Sequence, residues 1–350
     1  MMRFQSIPLL ALATFSLLPG LSSAKYILKD DLSYKNFFNK FELFTGPDPT
    51  NGFVQYLDLP SAISSQLVGY YNESVFLGVD FKVKDPQGRA SVRVESTTSY
   101  NHGVMVMDIG HMPDSTCGTW PAAWLLSAST PWPQGGEIDI LEGVNDYMHN
   151  AVTLHTSAGC VVDNSTNGGQ GEDSQQMAFE GFMTTDDCDV NASGQGKNVG
   201  CSIKAPRPEE GVDECVATYG TDFNAKGGGV YTMEWTRDGI SVWFFPRDAL
   251  ESTAKATIPD LTTNPDPSTW GTPLARFSGA GCDFSKRFRD LKIIFDTTFC
   301  GEWAGKEWSE SCAEKTGVST CEEYVRENPE VFESAYWEIR GLRWFEEEGK

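Results

Sequence analysis

Short runs of alternating apolar and polar residues recur along this chain between clusters of Gly, Pro and Asn, and that punctuation points to β-sheet. The clearest run is Tyr231-Thr-Met-Glu-Trp-Thr-Arg-Asp-Gly-Ile-Ser-Val-Trp-Phe-Phe245. Its two arms flank an Asp238-Gly239 step, which predicts a tight hairpin turn with positive φ. Further strands are predicted over Ala90 to Ser96, Val104 to Ile109, Leu291 to Phe295 and Tyr336 to Phe345. Helical periodicity is scarce. One helix is marked near the end, where Thr320-Cys-Glu-Glu323 has the form of a capping box and Asn328-Pro329 stops the turn. With no repeat and no low-complexity linker, the chain reads as one β-sandwich domain over residues 25–350.

Residues 1–24 have the form of a signal peptide. Arg3 supplies a positive start, Ile7 to Leu21 is mostly apolar, and Ser22-Ser23-Ala24 offers a small-residue cleavage site. Pro8 and Pro19 break a stretch already short of the roughly 20 residues that a membrane helix needs. No later segment is apolar enough to span, and Glu346-Glu347-Glu348-Gly349-Lys350 has no lipid-anchor tail. A secreted, monomeric protein is the expectation. Lys and Arg number 27 against 49 Asp and Glu, a formal charge of −22, so nucleic acid and anionic membrane are repelled. A neutral partner fits better. Three glycosylation sequons begin at Asn72, Asn164 and Asn191.

Nine cysteines predict disulfides in an exported chain, with one thiol left over. There is no C-x-x-C and no paired histidine motif, so no metal and no cofactor is expected. Connectivity stays open at this point, with Cys312 to Cys321 the most local pairing. Between Ser157 and Gly229 the chain turns polar and carries four of the cysteines. It reads either as a stapled surface insertion or as a loop walling a binding cleft.

The chemistry concentrates in Gly135-Gly-Glu-Ile-Asp-Ile-Leu-Glu-Gly143. Side chains alternate along a strand, so Glu137 and Asp139 share one face while Ile138 and Ile140 fill the other. Glu142 lies at an odd offset and should point away. One extra residue in a β-bulge returns it to the acidic face, with Leu141 placed to be absorbed. A helix would scatter the three acids. Three carboxylates on one strand face repel one another, which a purely structural strand has no reason to accept. A solvated or cation-binding edge is the bland alternative. Glycoside hydrolysis, in contrast, needs one ionised and one protonated carboxyl, and crowding acids divides them in that way.

The flanks decide between these. Glu-x-Asp-x-x-Glu preceded by Gly-Gly and followed by Gly143-Val144-Asn145 resembles glycoside hydrolase family 16, in its fungal endo-β-1,3(4)-glucanase branch. So do Phe44 to Val54, Asp108 to Pro113, Cys117 to Trp124, Asp296 to Gly305 and Ala335 to Ile339. The resemblance implies an all-β jelly-roll sandwich of two curved antiparallel sheets with an open cleft. It implies Glu137 as nucleophile, Glu142 as acid/base and Asp139 as auxiliary carboxylate, acting on β-glucan.

Trp120 and Trp124 are four apart in a predicted strand, hence on one face, where they suit stacking on pyranose rings. Spacing alone would equally make them core, and the resemblance favours the cleft. Trp303 and Trp308, in a Gly-flanked loop, are candidates for exposed platforms, whereas Trp235, Trp243 and Trp337 read as core. His155 is placed to bond a sugar or Glu142, and Asn145 to orient Glu142, while His102, His111 and His149 read as structural. Two other functions compete. A lectin on the same sandwich has no need of the acid, the base and their spacing. A cell-wall transglycosylase shares the chemistry, but such relatives tend to lack the bulge and to carry a lipid-anchor tail. An esterase is excluded by the lack of a G-x-S-x-G elbow.

Overall fold

The computed structural model describes residues 25–84, 87–163, 179–206, 216–251 and 261–349. The expected signal peptide, the Asn164 sequon and Cys215 lie outside them. Two antiparallel eight-stranded sheets stack into a sandwich. Across one sheet the strands run Phe182–Thr185, Cys201–Lys204, Ala151–His155, Glu137–Glu142, Thr119–Ser127, Leu291–Phe299, Arg93–Ser96 and Phe41–Leu43. Across the other they run Ala275–Ser278, Gly239–Pro246, Gly229–Trp235, Gly103–His111, Tyr336–Glu347, Ser74–Gly78 and Val68–Tyr71, with Tyr26–Asp31 added against Tyr336–Glu347.

Alternation sorts the side chains. From the first sheet Val94, Ala123, Leu125, Ile138, Val152, Leu154 and Ile293 turn inward, to meet Met105, Met107, Met233, Trp235 and Trp344 of the second. Burying each of the Val, Leu, Ile and Met side chains is worth about 1.5–3 kcal/mol. Their sequence neighbours Arg93, Ala122, Trp124, Glu137 and Asp139, with Asp296 beside the buried Phe295, turn the other way and line a cleft. Trp235, Trp243 and Trp337 are buried as expected.

The Tyr231 to Phe245 hairpin forms with Trp235 opposite Ile240. Its turn differs from expectation, since neither Asp238 nor Gly239 takes a positive φ. Thr236 closes it instead, its N–H donating to the Gly239 carbonyl at 2.9 Å. Gly239 is needed for another reason: a Cβ there would stand 2.4 Å from the Phe277 carbonyl oxygen of the neighbouring strand. The late helix spans Cys321–Glu327, with the Thr320 hydroxyl accepting from Glu323 N–H at 3.3 Å.

The cysteines pair 117–312, 160–282, 188–201 and 300–321. The local pairing of Cys312 with Cys321 is therefore wrong. Each instead ties its short helix to the sandwich, around a satellite core of Phe53, Phe299, Trp308, Val325 and Phe332. Trp308 lies within that core, its Nε1 donating to Val318 O at 3.0 Å, and is no exposed platform. Four disulfides fit an oxidising compartment. Among the described residues no helix is long and apolar enough to cross a membrane.

Within the described part of 157–229, Cys201–Lys204 and then Phe182–Thr185 extend the cleft sheet to its edge. Between them a turn stapled by Cys188–Cys201 brings Lys197 and Asn198 to the cleft.

Candidate active site

The acidic strand Glu137–Glu142 lies inside its sheet, flanked by Thr119–Ser127 and Ala151–His155. Pairing with Thr119–Ser127 runs regularly through Asp139 opposite Trp124, then resumes at Leu141 opposite Ala123. The bulge predicted from the odd offset is present. The residue passed over is Ile140 rather than Leu141, and both stay in the core. Glu137, Asp139 and Glu142 consequently line one cleft of about 410 Å³.

Each carboxylate meets a different environment. Trp132 Nε1 donates to Glu137 Oε2 at 2.5 Å, and Trp120 Nε1 donates to Glu142 Oε1 at 2.8 Å. Trp124 Nε1 donates to Asp296 Oδ1 at 2.8 Å, and Tyr56 Oη donates to its Oδ2 at 2.9 Å. Asp139 is only 2 % exposed and lies 3.3 Å from His155 Nε2. Burial, then the charge of Asp139, push Glu137 up to about 7, against pulls from His155, the Trp132 N–H and Arg93. Glu142 is raised well above the ordinary carboxylic range by burial and then by Asp139, the Trp120 N–H opposing. Burial and the neighbouring Asp296 raise Asp139 in the same way. Burial lifts Asp296 itself to about 6. Low-dielectric crowding of this kind makes the carboxyls share protons, so that neutral and ionised forms coexist at one pH.

Trp120 and Trp124 both line the cleft, and Trp303 does not. Trp303 stands edge-on between Trp120 and Tyr147, at 5.7 and 5.9 Å, and so buttresses the cleft tryptophan. His155 is opposite Glu137 in the ladder, yet its ring reaches Asp139 rather than Glu142. Asn145 is fully buried and does not touch Glu142. Its Oδ1 accepts from Gly118 N, and its Nδ2 donates to Ala304 O and Ser311 Oγ, so it ties the Gly118 turn to two short helical segments. His111 stacks on Tyr336 and His102 lies edge-on to Trp235, both structural.

Several cleft residues escaped the sequence reading. Arg93 is one, its guanidinium between the rings of Phe44 and Trp124 at 4.6 and 4.9 Å. Trp132 and Asp296 are others. Asp296 opens a stretch that already carried the family resemblance, which was the available signal. Trp132 sits between prolines in a loop and had none.

A domain model described as "XgeA-like, catalytic GH16 domain" matches residues 41–345. The chain belongs to glycoside hydrolase family 16. Within that family it is 43% identical to an endo-1,3(4)-β-glucanase of Arthroderma benhamiae, over 94% of this chain and 67% of that protein. It is 39% identical to endo-1,3(4)-β-glucanase xgeA of Emericella nidulans, over 95% of this chain and 49% of the relative. The chain thus spans about half the length of several curated relatives, and two thirds of the Arthroderma protein. Among solved structures, GH16 laminarinase 16A of Phanerochaete chrysosporium superposes with a TM-score of 0.79 at 37% identity, over 92% of this chain and all of that one. A GH family 16 β-1,3-glucosyltransferase described as elongating follows at 0.74 and 38%, with the same coverage.

Proposed function

We propose that this chain is a secreted endo-β-glucanase, cutting β-1,3 and mixed β-1,3/1,4-glucan with retention of configuration. The observation that carries the proposal is the bulge, which puts Glu137 and Glu142 on one face of one strand in different electrostatic surroundings. Retaining glycosidases hold their two carboxyls about 5–5.5 Å apart across the scissile bond. The Glu137 carboxylate attacks the anomeric carbon as the bond to the leaving oxygen breaks. Glu142 gives that oxygen its proton, leaving a covalent glycosyl-enzyme. Water then attacks the same carbon, Glu142 takes its proton, and the bond to Glu137 breaks to free the sugar. Asp139 and His155 set the field in which Glu137 ionises, and Trp120 and Trp124 offer ring faces to glucose units. A sugar hydroxyl in place of water would transfer rather than hydrolyse, the reading that the similar elongating glucosyltransferase favours.

The test combines anomer analysis with azide rescue. Proton NMR of early laminarin products should show the β-anomer first, and an α-anomer first would end the scheme. Glu137→Ala should lose about 10⁴-fold or more in kcat and regain turnover with azide as an α-glycosyl azide. Glu142→Ala should give the β-azide, and only from substrates whose leaving group needs no proton.

A further inference from the structure

The bulge that turns Glu142 toward Glu137 is completed by a side chain. On its other flank the acidic strand pairs Glu137 with His155, Ile138 with Leu154 and Asp139 with Thr153, and there the backbone ladder stops. Beyond it, Asn150 takes over. Its Nδ2 donates to the Ile140 carbonyl at 2.7 Å and its Oδ1 accepts from the Glu142 N–H at 2.9 Å. A primary amide presents a donor and an acceptor in one plane, as a peptide unit does, so it can stand in for the missing rung. Asn150 is fully buried and its own backbone is pinned on both sides. Its N–H donates to Thr218 Oγ1 at 3.1 Å, and its carbonyl accepts from Ala205 N–H at 2.9 Å.

We infer that Asn150 is a positioning residue that holds the strand in its bulged register and so keeps Glu142 on the Glu137 face. A strand that closes up by one residue sends every following side chain to the opposite face. Glu142 would then point into the core and Leu141 into the cleft. Removing the amide strands two buried backbone groups in the bulged register, and with them the advantage of that register. Glu137 and Asp139 precede the bulge and keep their regular rungs. The consequence therefore falls on proton transfer by Glu142 and spares the nucleophile. The inference rests on Glu142 being the acid/base, and its test separates the two.

Asn150→Ala and Asn150→Asp would be made in the full chain and assayed on laminarin, whose sugar leaving group needs a proton. The same enzymes would be assayed on 2,4-dinitrophenyl β-laminaribioside, whose leaving group does not, with azide to release the glycosyl-enzyme. The burst of dinitrophenolate, measured without azide, counts molecules with a working nucleophile, so rates refer to folded enzyme only. Asn150→Asp keeps the size and the acceptor, and remains readable if the Ala variant does not fold. On laminarin we expect kcat to fall about 100-fold, with KM within about threefold and the activated substrate within about fivefold of the parent. Equal losses on both substrates, or a loss on neither, overturn the inference. Glu142→Ala, measured alongside, should show the same split more strongly. If it shows none, the acid/base assignment is itself wrong and the role of Asn150 falls with it.

Discussion

Asp139 stands at the centre of the cleft's electrostatics, because its charge is the second cause, after burial, that raises both Glu137 and Glu142. Neutralising it should lower both. For an enzyme that works with Glu142 protonated, the rate falls on the alkaline side as Glu142 loses its proton. Asp139→Asn should therefore move the alkaline limb of kcat/KM to lower pH, while costing far less activity than Glu137→Ala. A limb that stays put or moves upward would mean that Asp139 does not govern Glu142. At this scale the sequence was legible where chemistry repeats a pattern, as in the three acids, and illegible where a side chain meets its partner through space. Trp132 reaches Glu137 from a loop, and Arg93 reaches the cleft between two rings. Asn145 and His155 were expected to meet Glu142, yet Asn145 bonds Gly118, Ala304 and Ser311 and His155 meets Asp139, partners set by packing that no spacing encodes.

Among the elements, the strand period did most to reveal the site. Alternation alone called for a bulge, and the structure holds one a single residue away from the expected place. Ile140 and Leu141 are both core residues, and it is the register against Thr119–Ser127 that skips Ile140. The stapled turn between Phe182–Thr185 and Cys201–Lys204 is a second element with consequences. Cys188–Cys201 closes a short loop that also holds Gln195 Nε2 against Asp187 O and Gly200 O, at 2.7 and 2.8 Å. Loops of this size gain about 3 kcal/mol from such a link. Replacing both cysteines by Ala should free Lys197 and Asn198 from the rim, raising KM for laminarin several-fold while kcat stays within about twofold, as uniform binding is lost. A change confined to kcat would show that the turn serves the chemistry. Peptide mapping without reduction should recover 117–312, 160–282, 188–201 and 300–321, and a 312–321 linkage would contradict this architecture.

For the molecule as a whole, burial of acids links stability to pH. Glu137, Asp139, Glu142 and Asp296 all bind protons more tightly when folded than a free carboxylate does. The folded state therefore holds more protons than the unfolded one between about pH 4.5 and 7, and its stability falls as pH rises through that window. The formal charge of −22 adds self-repulsion in the same direction. Thermal unfolding should show a Tm highest at mildly acidic pH and lower by several degrees at pH 8. A Glu137→Gln, Glu142→Gln double variant should flatten the slope. An unchanged slope would show that Glu137 and Glu142 do not carry the effect.

The sandwich, the acidic strand and the family were determined by the sequence itself, because period-two alternation, turn residues and a motif with its flanks are local properties. Tertiary structure alone decided the disulfide pairing, the buried place of Trp308, the use of Gly239 and the bond from Asn150 across the bulge. Each of these joins residues that the two sheets bring together from distant parts of the chain, or sets a backbone against a neighbouring strand. Which donor meets which acceptor is decided there by close packing and the need to satisfy buried polar groups.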